Sequence, residues 1–187
     1  NKHEHIIITF TDNTDLRYHD TRKFGRMNLI KKEDLDKTEA IKKQGIEPIS
    51  PNLTKEYLYE KIHSKHLPMK TILLDQTIIA GLGNIYADEV LFASKIHPLT
   101  KGIDITLDDC EKLKESSKKI IEEAIKCGGT TIRSYTSSLG VTGRFQQFLQ
   151  VHKREGEPCN ICKTPIERIK VGGRSTYFCP KCQKESS

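Results

Sequence analysis

The chain has 187 residues, 30% of them charged and 35% hydrophobic, which allows one large or two small domains with a core but excludes a thick, multilayered buried sheet. Its net charge is +6, and residues 140–187 carry +5 of it, nine Lys/Arg against four Glu; basic charge concentrated in one quarter points to a polyanionic partner. The sequence holds no apolar run long enough to cross a bilayer and no signal-peptide pattern, so a cytoplasmic protein with no membrane partner is expected.

Residues 1–30 read as strands. A β-branched run over 5–10 is followed by a turn cluster at 12–15, a return over 16–19 and a third short strand over 24–30. Three strands bury little alone, and the chain starts almost inside the first one, so this segment is expected to begin mid-domain. Residues 31–53 are polar and broken by Gly45, Pro48 and Pro51, which suits a linker with one short helix.

From 54 to 150 the pattern is helical. Thr54 caps a helix with Tyr57, Leu58 and Ile62 on one face. A second helix runs over about 69–74, and a third starts near Asn84 and ends before Pro98. The longest spans 106–126: Thr106 caps it, Asp108 and Asp109 lie in its first turn, and Gly128-Gly129 stops it. Its expected core face carries Leu107, Cys110, Leu113, Ser117, Ile120 and Ala124. Residues 130–150 are irregular, and 151–187 are short strands around cysteines. The fold class is α+β: partial β-sandwich strands, a helical domain and a C-terminal four-cysteine zinc-finger hairpin.

Two constellations carry chemistry. Cys159-x2-Cys162 and Cys179-x2-Cys182 are paired knuckles whose four thiolates close a tetrahedron around one structural zinc ion. Four thiolates leave no open position, so this zinc does no chemistry; two disulfides or free core cysteines are the alternatives. Cys110 and Cys127 are bystanders. The segment between the knuckles reads as a hairpin turning at Gly172-Gly173, with Lys170 and Arg174 as a basic tip. The second constellation is 75–89. Gly81 and Gly83 permit close approach of a backbone or a phosphate, and Asn84 is expected to cap a helix whose open N-terminus is an anion site. A tight helix–helix turn would explain the same glycines. Asp88 and Glu89 are placed in that helix's first turn, complementing its dipole.

The phrase over 75–89, with Leu91-Phe92 and Ile96-His97-Pro98, resembles the helix–two-turn–helix of the formamidopyrimidine-DNA glycosylases. Residues 156–159 through 173–179 resemble that family's C-terminal zinc finger, and 18–25 its DNA-wedge loop. The resemblance covers essentially the whole chain. It implies an enzyme of base-excision repair, a DNA glycosylase and abasic-site lyase. Such an enzyme removes oxidised purines (8-oxoguanine, formamidopyrimidine) from duplex DNA and nicks the strand by β,δ-elimination.

By position, Arg22 is expected to face the orphaned cytosine and Phe24 to wedge between base pairs. His3, Lys65, Lys70 and Asn84 are expected to contact DNA, the lysines from solvent. Arg174 is expected to grip the phosphates and serve the δ-elimination step. Residues 134–144 correspond to the loop that covers the flipped base. The family's nucleophile is an N-terminal proline amine followed by a glutamate, and this chain opens with Asn1-Lys2-His3. The chain is therefore expected to bind duplex DNA containing an oxidised purine or abasic site without catalysing, and to self-associate through its strand edge, the intact parent being monomeric. An endonuclease VIII-like glycosylase for oxidised pyrimidines shares two of the motifs, and a non-enzymatic zinc-ribbon module would explain the cysteines alone.

Overall fold

The computed structural model describes residues 2–21, 23–130 and 143–184. Arg22 and most of the expected base-covering loop lie outside the described residues. Two compact units result, Asn1–Lys42 and Lys43–Ser187.

In the first unit, β1 (Glu4–Thr9) pairs antiparallel with β2 (Asp15–His19), Ile7 opposite Arg17. The turn between them is set by Asp12, whose Oδ1 accepts from the Thr14 amide at 2.9 Å and the Thr14 hydroxyl at 2.7 Å. Asn13 takes φ 64°, a left-handed conformation that asparagine tolerates better than most residues. The third strand expected over 24–30 does not form: the chain there has no ladder partner among the described residues. Strand preference needs a neighbouring edge to act on, and here the preceding loop is turned away by the Asp20 carboxylate. It accepts from the amides of Lys23 at 2.9 Å and Gly25 at 2.8 Å. A 3-10 turn (Lys32–Lys37) and the short helix α1 (Glu39–Lys42) follow.

The second unit begins inside the stretch expected to be a linker. The Gly45 amide donates to Gln76 O at 2.8 Å, and Ile46 bridges Ile79 in parallel. A Cβ on Gly45 would sit 2.4 Å from the Ile78 carbonyl carbon, so only glycine permits this approach. The second half of that stretch is thus stitched to the helical body.

Four helices build that body: α2 (Lys55–Ile62), α3 (Met69–Leu73), α4 (Asn84–Ala93) and α5 (Leu107–Lys126). Thr54 Oγ1 accepts from the Tyr57 amide at 3.1 Å, the expected cap. α5 opens with a full capping box: Asp109 N donates to Thr106 Oγ1 at 3.1 Å, and Thr106 N donates to Asp109 Oδ2 at 3.2 Å. Leu58, Ile62, Leu73, Leu82, Ala87 and Leu113 meet in one fully buried core. Leu107, expected on that face, is 42% exposed, because the first position of the helix lies beyond the edge of the packed surface.

The C-terminal hairpin pairs β3 (Glu167–Val171) with β4 (Arg174–Phe178). Its two turn residues are those expected, Gly172 at φ 55° and Gly173 at φ 78°. Two successive positive φ values are what a tight two-residue hairpin needs.

Candidate nucleic-acid interface and zinc centre

The turn that leads into α4 is built by two side chains. Asp75 Oδ1 accepts from the Thr77 amide at 3.0 Å. Gln76 reaches across the turn, accepting from the Gly81 amide at 2.8 Å and donating to Leu82 O at 3.0 Å. Gly81 takes φ 87°, and a Cβ on Gly81 or Gly83 would meet nothing within 4 Å, so this side of the turn faces open space.

The N-cap of α4 is Gly83, not Asn84, and it supplies no side-chain acceptor. The first amides of α4 therefore lack a side-chain cap, the arrangement that favours an anion. Asn84, one position further in, spends its amide differently: Nδ2 donates to Ser175 O on β4 at 3.0 Å, while its buried Oδ1 has no protein partner.

Arg174, at the exposed start of β4, and the half-buried Lys65 line one cleft of about 360 Å³ with Thr71, Asp75 and Gly172. Helix start, lysine and hairpin arginine belong to three separate stretches of sequence. The unit's fold brings the first and third together through the Asn84–Ser175 bond, and the second and third around the cleft.

Beneath this surface lies a buried ionic cluster. Lys70 is 0% exposed; its Nζ donates to Asp88 Oδ1 at 2.7 Å and to Asn84 O at 2.7 Å. Burial pushes the Lys70 ammonium below its usual value, Asp88 opposes that, and the nearby charge of Arg174 adds to the lowering. The other oxygen of Asp88 lies 2.6 Å from His152 Nδ1. Glu89 accepts from three consecutive amides, Gln150 at 2.8 Å, Val151 at 3.0 Å and His152 at 2.9 Å. Burial nonetheless pushes its carboxyl upward, with these amides opposing.

Two expectations fail here. Lys70 was expected in solvent on a phosphate, and Asp88 and Glu89 in the first turn of the helix. α4 starts at Asn84, so both acids lie beyond its first turn, and they are buried, Asp88 against Lys70 and His152 and Glu89 on the amides of 150–152.

The four cysteines converge as their spacing required. The Sγ atoms of Cys159, Cys162, Cys179 and Cys182 all lie within 4.8 Å of one another. Cys159 and Cys182 are 3.9 Å apart, and Cys162 and Cys179 3.3 Å. A disulfide holds sulfurs at about 2.0 Å, whereas a tetrahedral zinc with bonds of about 2.3 Å spaces them about 3.8 Å apart. The donor set therefore fits one closed zinc site. Cys110 is isolated in the core, where burial raises its thiol to about 11, and no described group makes it reactive. Gln183 ties the finger to the body, accepting from the Cys179 amide at 2.9 Å and donating to Ile96 O at 2.9 Å.

Residues 44–136 match the family model described as the formamidopyrimidine-DNA glycosylase H2TH domain, and 156–184 the one described as the zinc finger found in FPG and IleRS. The formamidopyrimidine-DNA glycosylases of Exiguobacterium sibiricum and Listeria innocua are 48% and 45% identical over 98% of this chain, which spans 66% and 67% of their lengths. A solved Lactococcus lactis FPG mutant in complex with a Fapy-dG containing DNA superposes with a TM-score of 0.91 at 40% identity, over 99% of this chain and 68% of that one. This chain belongs to the formamidopyrimidine-DNA glycosylase family. The MutM (FPG) protein of Thermus thermophilus is also similar, with a TM-score of 0.91 at 34% identity, over 100% of this chain and 71% of that one.

Within this family member, the first unit holds His3 and Phe24. The His3 ring packs edge-on to His19 with centroids 5.6 Å apart, and Phe24 is 74% exposed. The second unit holds Lys65, Asn84, Arg174 and the four cysteines. Sequence reasoning missed Asp88, Glu89 and His152 as a cluster. The signal available was two adjacent acids inside an otherwise apolar helix, which would be costly unless both were partnered.

Proposed function

We propose that this glycosylase-family chain is the DNA-holding portion of a base-excision-repair enzyme that removes oxidised purines and nicks the strand by β,δ-elimination. The supporting observation is the surface where Lys65 and Arg174 share a cleft and Asn84, at the uncapped start of α4, is bonded to the residue next to Arg174. Cations and open helix amides on one face suit a phosphodiester backbone. In this reading Lys65, Asn84 and Arg174 hold phosphates and Arg174 also serves the second elimination. In the first unit His3 contacts DNA, Phe24 wedges into the stack and Arg22 faces the orphaned cytosine. The partner is duplex DNA with an oxidised purine or abasic site, in the bacterial cytoplasm at the nucleoid; among the described residues no helix is long and apolar enough to cross a membrane.

Zinc supplies rigidity to the finger and takes no part in the reaction. Lys70 is not a phosphate ligand in this reading; it works from below, through Asp88 and the carbonyl of Asn84.

The test is duplex binding across a salt series. Each phosphate neutralised contributes about 0.9 to the slope of log K against log salt, so Lys65→Ala and Arg174→Ala are each expected to reduce it by about 1. Salt-insensitive binding would remove the reading. Assayed alone with abasic duplex and borohydride, the 187-residue chain is expected to give no adduct at enzyme-like rate. Rapid trapping would assign the nucleophile to one of its own amines.

A further inference from the structure

We infer that His152 is a positioning residue for the DNA-binding face: through Asp88 and Tyr177 it fixes the finger strand that carries Arg174 against the start of α4. The inference rests on the proposed phosphate-holding role of Arg174.

His152 is 6% exposed and stands between two elements. On one side its Nδ1 lies 2.6 Å from Asp88 Oδ2. A carboxylate only accepts, so Nδ1 carries the hydrogen. On the other side its ring meets Tyr177 edge-on, with centroids 5.0 Å apart and planes at 69°. An edge-to-face pair of this kind is directional as well as apolar.

The base from which His152 acts is itself held. Glu89 binds the amides of residues 150–152, so the backbone beneath the imidazole is fastened to α4. Asp88 is held too, since Lys70 occupies its other oxygen and spans to Asn84 O. The imidazole is thus the link between a fastened helix and strand β4.

On β4, Tyr177 and Ser175 lie two residues apart, on the same face of the strand. The ring of Tyr177 is held by His152, and the carbonyl of Ser175 by Asn84. Arg174 is the next residue outward. Its long side chain reaches a phosphate reproducibly only if its backbone is fixed, and binding constellations tolerate about 0.5 Å of play. Asp88 and His152 are both buried, so any effect they have on binding passes through this geometry.

The experiment uses the full 187-residue chain and three readouts: zinc content, salt-dependent binding to duplex DNA, and solvent exchange of the Asn84 side-chain amide protons by NMR. His152→Phe keeps a ring for Tyr177 and deletes the hydrogen bond to Asp88; His152→Asn restores a donor at the Nδ1 position. His152→Phe is expected to keep its zinc, to weaken binding about tenfold and to cut the salt slope by about 1, as losing one phosphate contact does.

Combined with Arg174→Ala it should add almost nothing, since the two act on one contact. Asn84 exchange should quicken, and His152→Asn, which returns the donor to Asp88 but not the ring to Tyr177, should recover only part of the slope. If His152→Phe lowers only thermal stability, leaves the slope intact and adds fully to Arg174→Ala, the residue is core filling and the inference is overturned. If the unsubstituted chain shows no salt-dependent binding, the functional reading fails first. The exchange rates then decide: faster in His152→Phe than in an equally destabilised Ile120→Val control supports the linkage, and equal rates overturn it. Should His152→Phe not fold, Tyr177→Leu breaks the other side of the link and is read by the same outcomes.

Discussion

Lys70 Nζ and Asp88 Oδ1 lie 2.7 Å apart with both side chains fully buried, joining α3 to α4 beneath the candidate DNA-binding face. Surface pairs contribute at most about 1 kcal/mol, but removing one partner of a buried pair strands the other charge. Asp88→Ala is expected to destabilise the chain by about 3–5 kcal/mol in urea unfolding. Lys70→Met combined with Asp88→Leu should recover much of that. A loss under about 1 kcal/mol for Asp88→Ala would mean that water reaches the pair.

The zinc site predicts a split response. Cys179→Ser should lose most of its zinc in metal analysis, because three thiolates no longer close the tetrahedron. Zinc binding in small fingers is worth on the order of 10 kcal/mol of folding free energy, so chelation should melt residues 156–184 while the helical signal of α5 persists. Full zinc retention in Cys179→Ser would contradict the four-thiolate assignment.

The capping box of α5 predicts an acid-sensitive increment. Burial would raise the Asp109 carboxyl, but its contacts with Thr106 and Lys112 outweigh this and hold it below the usual 3.8. A depressed carboxyl contributes stability above its unfolded value, and that contribution is lost as pH falls through the lower folded value. Asp109→Asn should therefore cost stability at pH 7, and the gap to the unsubstituted chain should close below about pH 3.8. Thr106→Ala should cost about 1 kcal/mol. A gap independent of pH would show that Asp109 acts only as a neutral hydrogen-bonding group.

The first unit predicts association. Ile7 and Leu16 in its hairpin are 52% and 54% exposed, and in the described sheet β1 and β2 pair only with each other. Unpaired apolar strand edges recruit further strands. Light scattering of the 187-residue chain should show concentration-dependent growth that Ile7→Lys reduces. A clean monomer at all concentrations would contradict this.

What could be read from the sequence was whatever local chemistry determines. Thr106 and Asp109 announce a helix start within four residues, the cysteine pairs announce a metal, and Gly172-Gly173 announces a tight hairpin. Each signal is complete in a short window, and each corresponds to an observed feature. The errors arose where distant residues decide. The run 24–30 has strand-forming side chains but makes no ladder with the β1–β2 hairpin, because the Asp20 carboxylate turns the loop before it. Lys70, Asp88 and His152 look like solvated charges because their partners stand 18 and 64 residues away. The cap of α4 is Gly83, one position before the expected Asn84, and the partners that bury Asp88 and Glu89 lie far away in sequence.

The bonds that seat the finger impose an order on folding. Asn84 meets Ser175 across 91 residues, and Ile96 meets Gln183 across 87. Closing such long loops is entropically unfavourable until the body they dock onto exists, whereas the contacts of α2 to α5 are mostly nearer in sequence. On a ribosome the helical body emerges well before the last cysteine pair. The finger then meets a surface already formed, and the body does not wait for the metal.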